Sequence, residues 1–195
     1  MKANVGMRYA VASLVTAYVP GTSITYGTGF VVSEARGAEV TWETENGDFR
    51  GDDIVLDSAR GVLAYNIELE TAGMKDSVRA TLLGETKDSS DAYHVTGANP
   101  PDVGFGYVKQ MREDGTSGAI ETTWEVMWYH KLKFGQPNDN SRTKEQNMDW
   151  RTQTITGRGA GIHLDSSEVP DFHEHKTFAT FALAKAFLNG LAGIS

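Results

Sequence analysis

The chain has 195 residues, with 18 Lys and Arg against 26 Asp and Glu for a net charge of -8. That is long enough for one domain with a proper core, and too acidic for a protein that grips nucleic acid through clustered cations. The absence of cysteine excludes disulfides, thiolate nucleophiles and Cys-ligated metal sites.

In chain order, "RYAVASLVTAYV" (Arg8 to Val19) is rich in β-formers and ends at the Pro20-Gly21 turn, predicting a first strand. "GTGFVVSE" and "GAEVTWETE" read as a strand pair divided near Arg36 and Gly37. In the second, Val40, Trp42 and Thr44 share one side, and Glu39, Thr41, Glu43 and Glu45 the other. The polar stretch from about Glu45 to Arg60 reads as a long loop. "GVLAYNIELET" alternates again, placing Leu63, Tyr65, Ile67 and Leu69 opposite Asn66, Glu68 and Glu70.

Met74, Val78 and Leu82 stand four apart with Gly84 just beyond, predicting a short helix over 74–83 with a glycine C-cap. "DAYHVT", "VGFGYVKQMRED" and "ETTWEVMWYHKLKF" return to strand patterns, the last two forming a hairpin through "EDGTSG". In the third, Trp124, Val126, Trp128, Leu132 and Phe134 are expected on one face. Glu125, Met127, Tyr129, Lys131 and Lys133 then take the other. The polar stretch from Phe134 to Asn147 is a second long loop, and "MDWRTQTITG" a further strand. Phe178, Phe181, Ala182, Lys185 and Leu188 predict a C-terminal helix stopping at Gly190.

Charge is unevenly spread. Glu34 to Asp91 holds 14 acids against 6 bases, while Lys131 to Arg158 holds 6 bases against 3 acids. Two differently solvated surfaces would account for this. So would a head-to-tail contact between the basic segment of one subunit and the acidic segment of the next.

Catalytic signals are weak. His163, His173, Glu174 and His175 lack the helical His-Glu-x-x-His spacing of a zinc site and read as a polar loop before the C-terminal helix. The acids from Asp48 to Asp57, and Asn138 to Asn140, lack the ligand pattern of an EF-hand. "YGTGF" lacks the lysine and helix start of a P-loop. Ser23 and Ser117 sit in no nucleophile elbow, and His94 and His130 read as ordinary strand histidines. The expectation is no enzyme, no cofactor and no metal. Trp124, Trp128 or Trp150 could serve a small carbohydrate-binding β-sandwich, but Trp124 and Trp128 share a face with Val126 and Leu132, and core packing explains them better. A metalloprotein built on the histidine cluster is a more distant alternative.

Taken in order, "ITYGTG", "EVTWETENG", "GVLAYNIELETAGMKDSVRATLLGET", "VGFGYVKQ", "EVMWYHKLKFGQPNDNSRTKEQNMDWRTQTITG" and "AKAFLNGLAG" resemble the major tail tube protein family of long, non-contractile-tailed bacteriophages. The run from "KFGQP" through Thr143-Lys144 to "QTITG" is the most specific of these. The phrases cover most of the chain; Ala160 to Lys176 and "VASLVTAYVPGTS" match less clearly.

The resemblance implies a mainly β fold, a sandwich or partial barrel with a short flanking helix and a C-terminal helix, as one tail tube domain over 1–195. It also implies hexameric rings stacked into a passive conduit for genome ejection, located in the virion tail and assembled in the host cytoplasm. The implied partners are further copies of the chain, the tape-measure protein, the tail terminator and the distal tail-tip proteins. Double-stranded DNA would pass through without specific binding, and with no apolar run of bilayer length no membrane insertion is expected.

Within that frame, Glu39, Thr41, Glu43, Glu45, Asn66, Glu68 and Glu70 are candidates to line the lumen. Carboxylates within a Debye length of about 8 to 10 Å would repel DNA. The alternative, an outer surface made soluble by the same acids, stays open. Asp48, Arg50, Asp52, Asp53, Asn138, Asp139, Arg142 and Lys144 are the candidates for ring-to-ring contact.

Overall fold

The computed structural model describes residues 2–32, 35–51, 54–97, 99–114, 120–137, 152–166 and 169–194, with the backbone alone along 46–51 and 54–60. Eleven strands and two helices follow in the order β1 (Lys2–Val19), β2 (Ser23–Tyr26), β3 (Phe30–Val32), β4 (Ala35–Gly51), β5 (Ile54–Thr71), α1 (Asp76–Leu83), β6 (Thr86–Lys87), β7 (Tyr93–His94), β8 (Val103–Asp114), β9 (Ile120–Phe134), β10 (Gln153–Ala160), β11 (His173–Phe178) and α2 (Phe181–Ala192). The protein is mainly β. Nine strands form one antiparallel sheet ordered β2-β1-β8-β9-β10-β5-β4, with β3 on β1 and β11 on β9, while β6 and β7 make a separate ribbon.

The sheet is rolled. β3 pairs with β1, whereas β4, which begins close behind it, pairs with β5 at the far end of the strand order. The chain therefore crosses from one side of the sheet to the other, wrapping it around an apolar interior. Tyr65, Ile67 and Leu69 of β5, Ile155 of β10, Leu132 and Phe134 of β9, and Phe105 of β8 are all fully or almost fully buried there. Helix α1 adds Leu82 and Leu83 to the same cluster. Its end is fixed by Gly84 at φ 70, whose N–H donates to the Ala80 carbonyl, as the glycine C-cap predicts.

Helix α2 packs on the outside of the roll. Thr180 caps its first turn, and Ala184, Leu188 and Ala192, four residues apart, meet Val11, Val108, Val126 and Trp128. The expected register was different. Phe178 belongs to β11, Ala182 and Lys185 are exposed, and the helix runs through Gly190 to Gly193, whose φ of 69 makes it the cap. Close approach by α2 requires Gly106, since a Cβ there would lie 2.7 Å from Leu188 Cδ1 and 2.6 Å from the Met127 carbonyl. Replacing Gly106 by alanine is expected to cost about 1–3 kcal/mol through overpacking, read as a lower urea midpoint.

Of the bulges in the sheet, one in β9 and one in β5 overturn the faces expected from the sequence. Val103 pairs with Leu132 and Phe105 with Tyr129, so β9 carries an extra residue near His130 and Lys131. Trp124, Val126 and Trp128 therefore face α2, whereas Leu132 and Phe134 join Met127 and Tyr129 in the interior, correcting the single face expected for all five. In β5, Glu43 pairs with Ala64 but Thr44 with Val62, leaving Leu63 as the extra residue, 54% exposed rather than beside Tyr65.

The expected loop from about Glu45 to Arg60 is instead a two-stranded arm, β4 and β5 staying paired out to Gly51 and Ile54. The sequence signal was masked by its acids and glycines; pairing with a strand already in place overrides weak local propensity. β3 pairs with β1 rather than with β4, "DAYHVT" keeps only the two residues of β7, and β1 begins at Lys2 instead of Arg8. The β8–β9 hairpin holds, its strands paired as far as Asp114 and Ile120. Of the second expected loop, residues 138–147 lie outside the described residues. Among the described residues no helix is long and apolar enough to cross a membrane.

Candidate functional site: a carboxylate face on the rolled sheet

The apolar interior takes one side of β4, β5 and β10, so the alternate residues of these strands look outward. Glu39 pairs directly with Glu68, Thr41 with Asn66 and Gly37 with Glu70. On the other side of β5, Thr154 pairs with Glu70, Thr156 with Glu68 and Arg158 with Asn66. Both acidic ribbons thus lie side by side on a single outward face. Glu39, Thr41, Glu45, Glu68 and Glu70 are exposed, and Glu43 and Asn66 half-buried. Gly37, Glu39, Glu68, Glu70 and Thr154 border a shallow polar groove of about 280 Å³.

One acid of the face is neutralised. Glu43 accepts from Arg158 Nη2 at 2.7 Å, from Arg158 Nε at 3.2 Å and from Asn66 Nδ2 at 2.8 Å. The Arg158 bonds, then that of Asn66, hold its carboxyl down to about 2, and Glu43 in return raises the Arg158 guanidinium. No such partner serves the rest: among the described residues no ion pair joins Glu39, Glu68 or Glu70 to a cation. A directly opposed Glu39–Glu68 pair is destabilising by roughly 0.2–1 kcal/mol. The isolated fold does not need this arrangement. Arg158 was missed in the sequence, although its alternation with Thr154 and Thr156 in "TITGR" is the strand pattern that puts it here.

Beside this face, Lys131 and Lys133 stand 3.6 and 3.8 Å from Asp102, in a cleft shared with Tyr18 and Arg158. The described part of the basic segment is therefore paired within the chain.

Of the ring-contact candidates, Asp48 and Arg50 lie on the paired arm, opposite Ser58 and Val55, and not in a loop. Asp52, Asp53, Asn138, Asp139, Arg142 and Lys144 lie outside the described residues, as does Trp150. Trp128, 1% exposed, belongs to the core, and Trp124 packs in a cluster with Arg8 and Phe181. Neither offers a free stacking platform.

His163 is separated from the other histidines in use: its backbone N–H donates to Tyr18 and its carbonyl accepts from Gly21. His173 and His175 share one side of β11, their rings 5.7 Å apart, and His173 also stacks on Tyr129. No group of three metal-ligating side chains occurs among the described residues.

Burial holds His130 below its ordinary value, with Asp171 opposing and His173 adding to the effect. Burial likewise lowers His173, reinforced by His175 and Lys109 and opposed by Glu125. Depressed histidines bind fewer protons folded than unfolded, so their contribution is complete above the unfolded value near 6.5 and is lost as pH falls. Urea midpoints are expected to drop between pH 7 and 5, and His130→Gln to flatten that slope; an unchanged slope would remove this assignment.

No family model matches the chain, and a search of curated proteins returned no match.

Proposed function

We propose that this chain is a structural subunit that polymerises into a hollow tube, the major tube protein of a long, non-contractile phage tail. Six copies per ring and stacked rings form the conduit. Its partners are other copies of itself, the tape-measure protein, the terminator at the capsid end and the proteins of the distal tip. It carries out no catalysis.

The observation that carries this reading is the outward carboxylate face of β4 and β5, on which Glu39, Glu68 and Glu70 have no ion-pair partner among the described residues and Glu39 directly opposes Glu68. DNA bears a charge about every 1.7 Å of its axis, so a bore lined by such acids would let it slide without sticking. Support also comes from the rolled sheet, which is long-edged: β4 along its outer side and β11 beside β9 have no second neighbour among the described strands. Closing identical copies into a ring removes such edges. The order of sequence phrases that resemble the tail tube family supports the same reading.

Electron microscopy of the concentrated chain tests the proposal. Rings or tubes are expected, with Glu39, Glu68 and Glu70 toward the bore in a reconstructed map. Uniform monomers at every concentration, even when seeded with tail tips, would overturn assembly. A map with these acids on the outer wall would overturn the assigned role of the face.

A further inference from the structure

The β8–β9 hairpin carries opposite charges at its two ends. At its tip Glu113 lies directly across from Glu121, and like charges so placed are destabilising. Lys2, the β1 neighbour of Glu113, reaches instead to Glu125 and Thr177, and among the described residues no ion pair joins Glu113 or Glu121 to a cation. Ile120 stands at the same tip, 66% exposed. Arg112 to Asp114 together with Ile120 and Glu121 hold three acids against one base. Residues 115–119, between them, lie outside the described residues.

At the other end of the same strand pair is a cleft of about 380 Å³, bordered by Tyr18, Asp102, Lys131, Lys133, Arg158 and Ile162. Arg158 is committed to Glu43. The two lysines share the single carboxylate of Asp102 at 3.6 and 3.8 Å, longer than the about 2.7–2.9 Å of a close charge-assisted bond. An ammonium carries three donors, so each lysine keeps capacity for a further acceptor. Lys131 also lies over the Tyr18 ring, 4.9 Å from its centroid.

Charge and spacing match between the two ends. Side chains opposed across a strand pair stand about 4.5–5.5 Å apart at Cβ, and residues i and i+2 of one strand about 6.6 Å. One acid of the tip can therefore meet each lysine. A chain cannot make this contact with itself, because Ile120 and Lys133 lie at opposite ends of β9, roughly 40 Å apart at about 3.3 Å per residue. Only another copy brings a matching tip to the cleft.

We propose that the β8–β9 tip of one copy docks in the lysine cleft of the next, setting Glu113 and Glu121 against Lys131 and Lys133; this rests on the reading of the protein as a self-assembling subunit. Ile120 adds an apolar side chain, and the half-buried Tyr18 ring is the wall that receives it. The contact relieves the opposed Glu113–Glu121 pair. Tip and cleft are different surfaces, so the interface is heterologous and every copy both gives and receives. It propagates along the direction of β8 and β9.

Charge reversal tests this. Glu121→Lys and Lys133→Glu are each expected to cut the yield of rings or tubes at least fivefold, and the chain carrying both to recover to within twofold of the unsubstituted yield. Glu121→Lys removes a like-charge opposition, so the melting temperature of its free subunit is expected to stay level or rise. Because the chain has no cysteine, a second readout is free of background: a Glu121→Cys preparation is mixed with a Lys133→Cys preparation under mild oxidation. The mixed disulfide dimer is expected at least tenfold above either self-dimer.

Full yield from Glu121→Lys, a doubly reversed chain no better than either single one, or no excess of mixed dimer would overturn this contact and leave the assembly reading standing. The unsubstituted chain failing to form any particle would overturn both.

Discussion

Truncating Trp128 to alanine is expected to destabilise the protein by about 3–5 kcal/mol, a large part of the total for a domain of this size. The side chain is 1% exposed and lies between the sheet and α2. Its ring meets Tyr26 edge-on at 5.2 Å, and its Nε1–H donates to the Tyr26 hydroxyl at 3.2 Å. That hydroxyl donates in turn to the His130 carbonyl at 2.9 Å, tying β2 to the bulge of β9. The sheet is shaped for the indole: a Cβ at Gly104 would sit 2.5 Å from Trp128 and 2.6 Å from Tyr26. Truncation leaves a cavity that Ala184, Leu188 and Ala192 are too short to refill. Urea unfolding followed by far-UV circular dichroism measures the loss; a value under 1 kcal/mol would mean that α2 is not seated on this residue.

The second large effect is electrostatic. If the proposed tube forms, replacing Glu39, Glu68 and Glu70 together by lysine is expected to make the assembled particles retain DNA. Three phosphate contacts give binding that weakens roughly 40-fold between 50 and 200 mM salt, following the slope for counterion release. Assembled wild-type particles are expected to retain none under the same conditions, as measured by co-sedimentation with labelled duplex. Equal retention by both would show that the face is not beside the DNA path. In the free subunit, Glu68→Lys alone is expected to raise stability by roughly 0.2–1 kcal/mol, because it replaces the opposed Glu39–Glu68 pair with an attractive one. A face that is made worse for folding and better for transit would show both results together.

The acidic ribbons were legible because strand alternation is a local rule: Glu39 and Glu68 follow from parity within their own segments. Their placement side by side depended on the direct β4–β5 pairing, which no single segment reveals. The glycine cap of α1 was likewise readable, since Gly84 acts on its own turn. The end of α2 was not, because Gly190 and Gly193 look equivalent until tertiary packing buries Ala192. Parity failed at Leu63 and again past His130 for one reason: a bulge is set by the partner strand and has no signature of its own in "GVLAYN" or "WYHKLKF". The arm was hidden for a related reason. Aspartates and glycines that ordinarily mark turns are carried on paired backbone once a long neighbouring strand is present.

The bulge at Leu63 also acts as a phase adjuster between two parts of one hairpin. Because side chains alternate with period two, a single inserted residue decides how the distal ribbon is rotated relative to the roll beneath it. Orientation of the arm is thereby separable from packing of the core: one codon gained or lost here would re-aim the outer half of β5 by half a turn and leave Tyr65, Ile67 and Leu69 where they are.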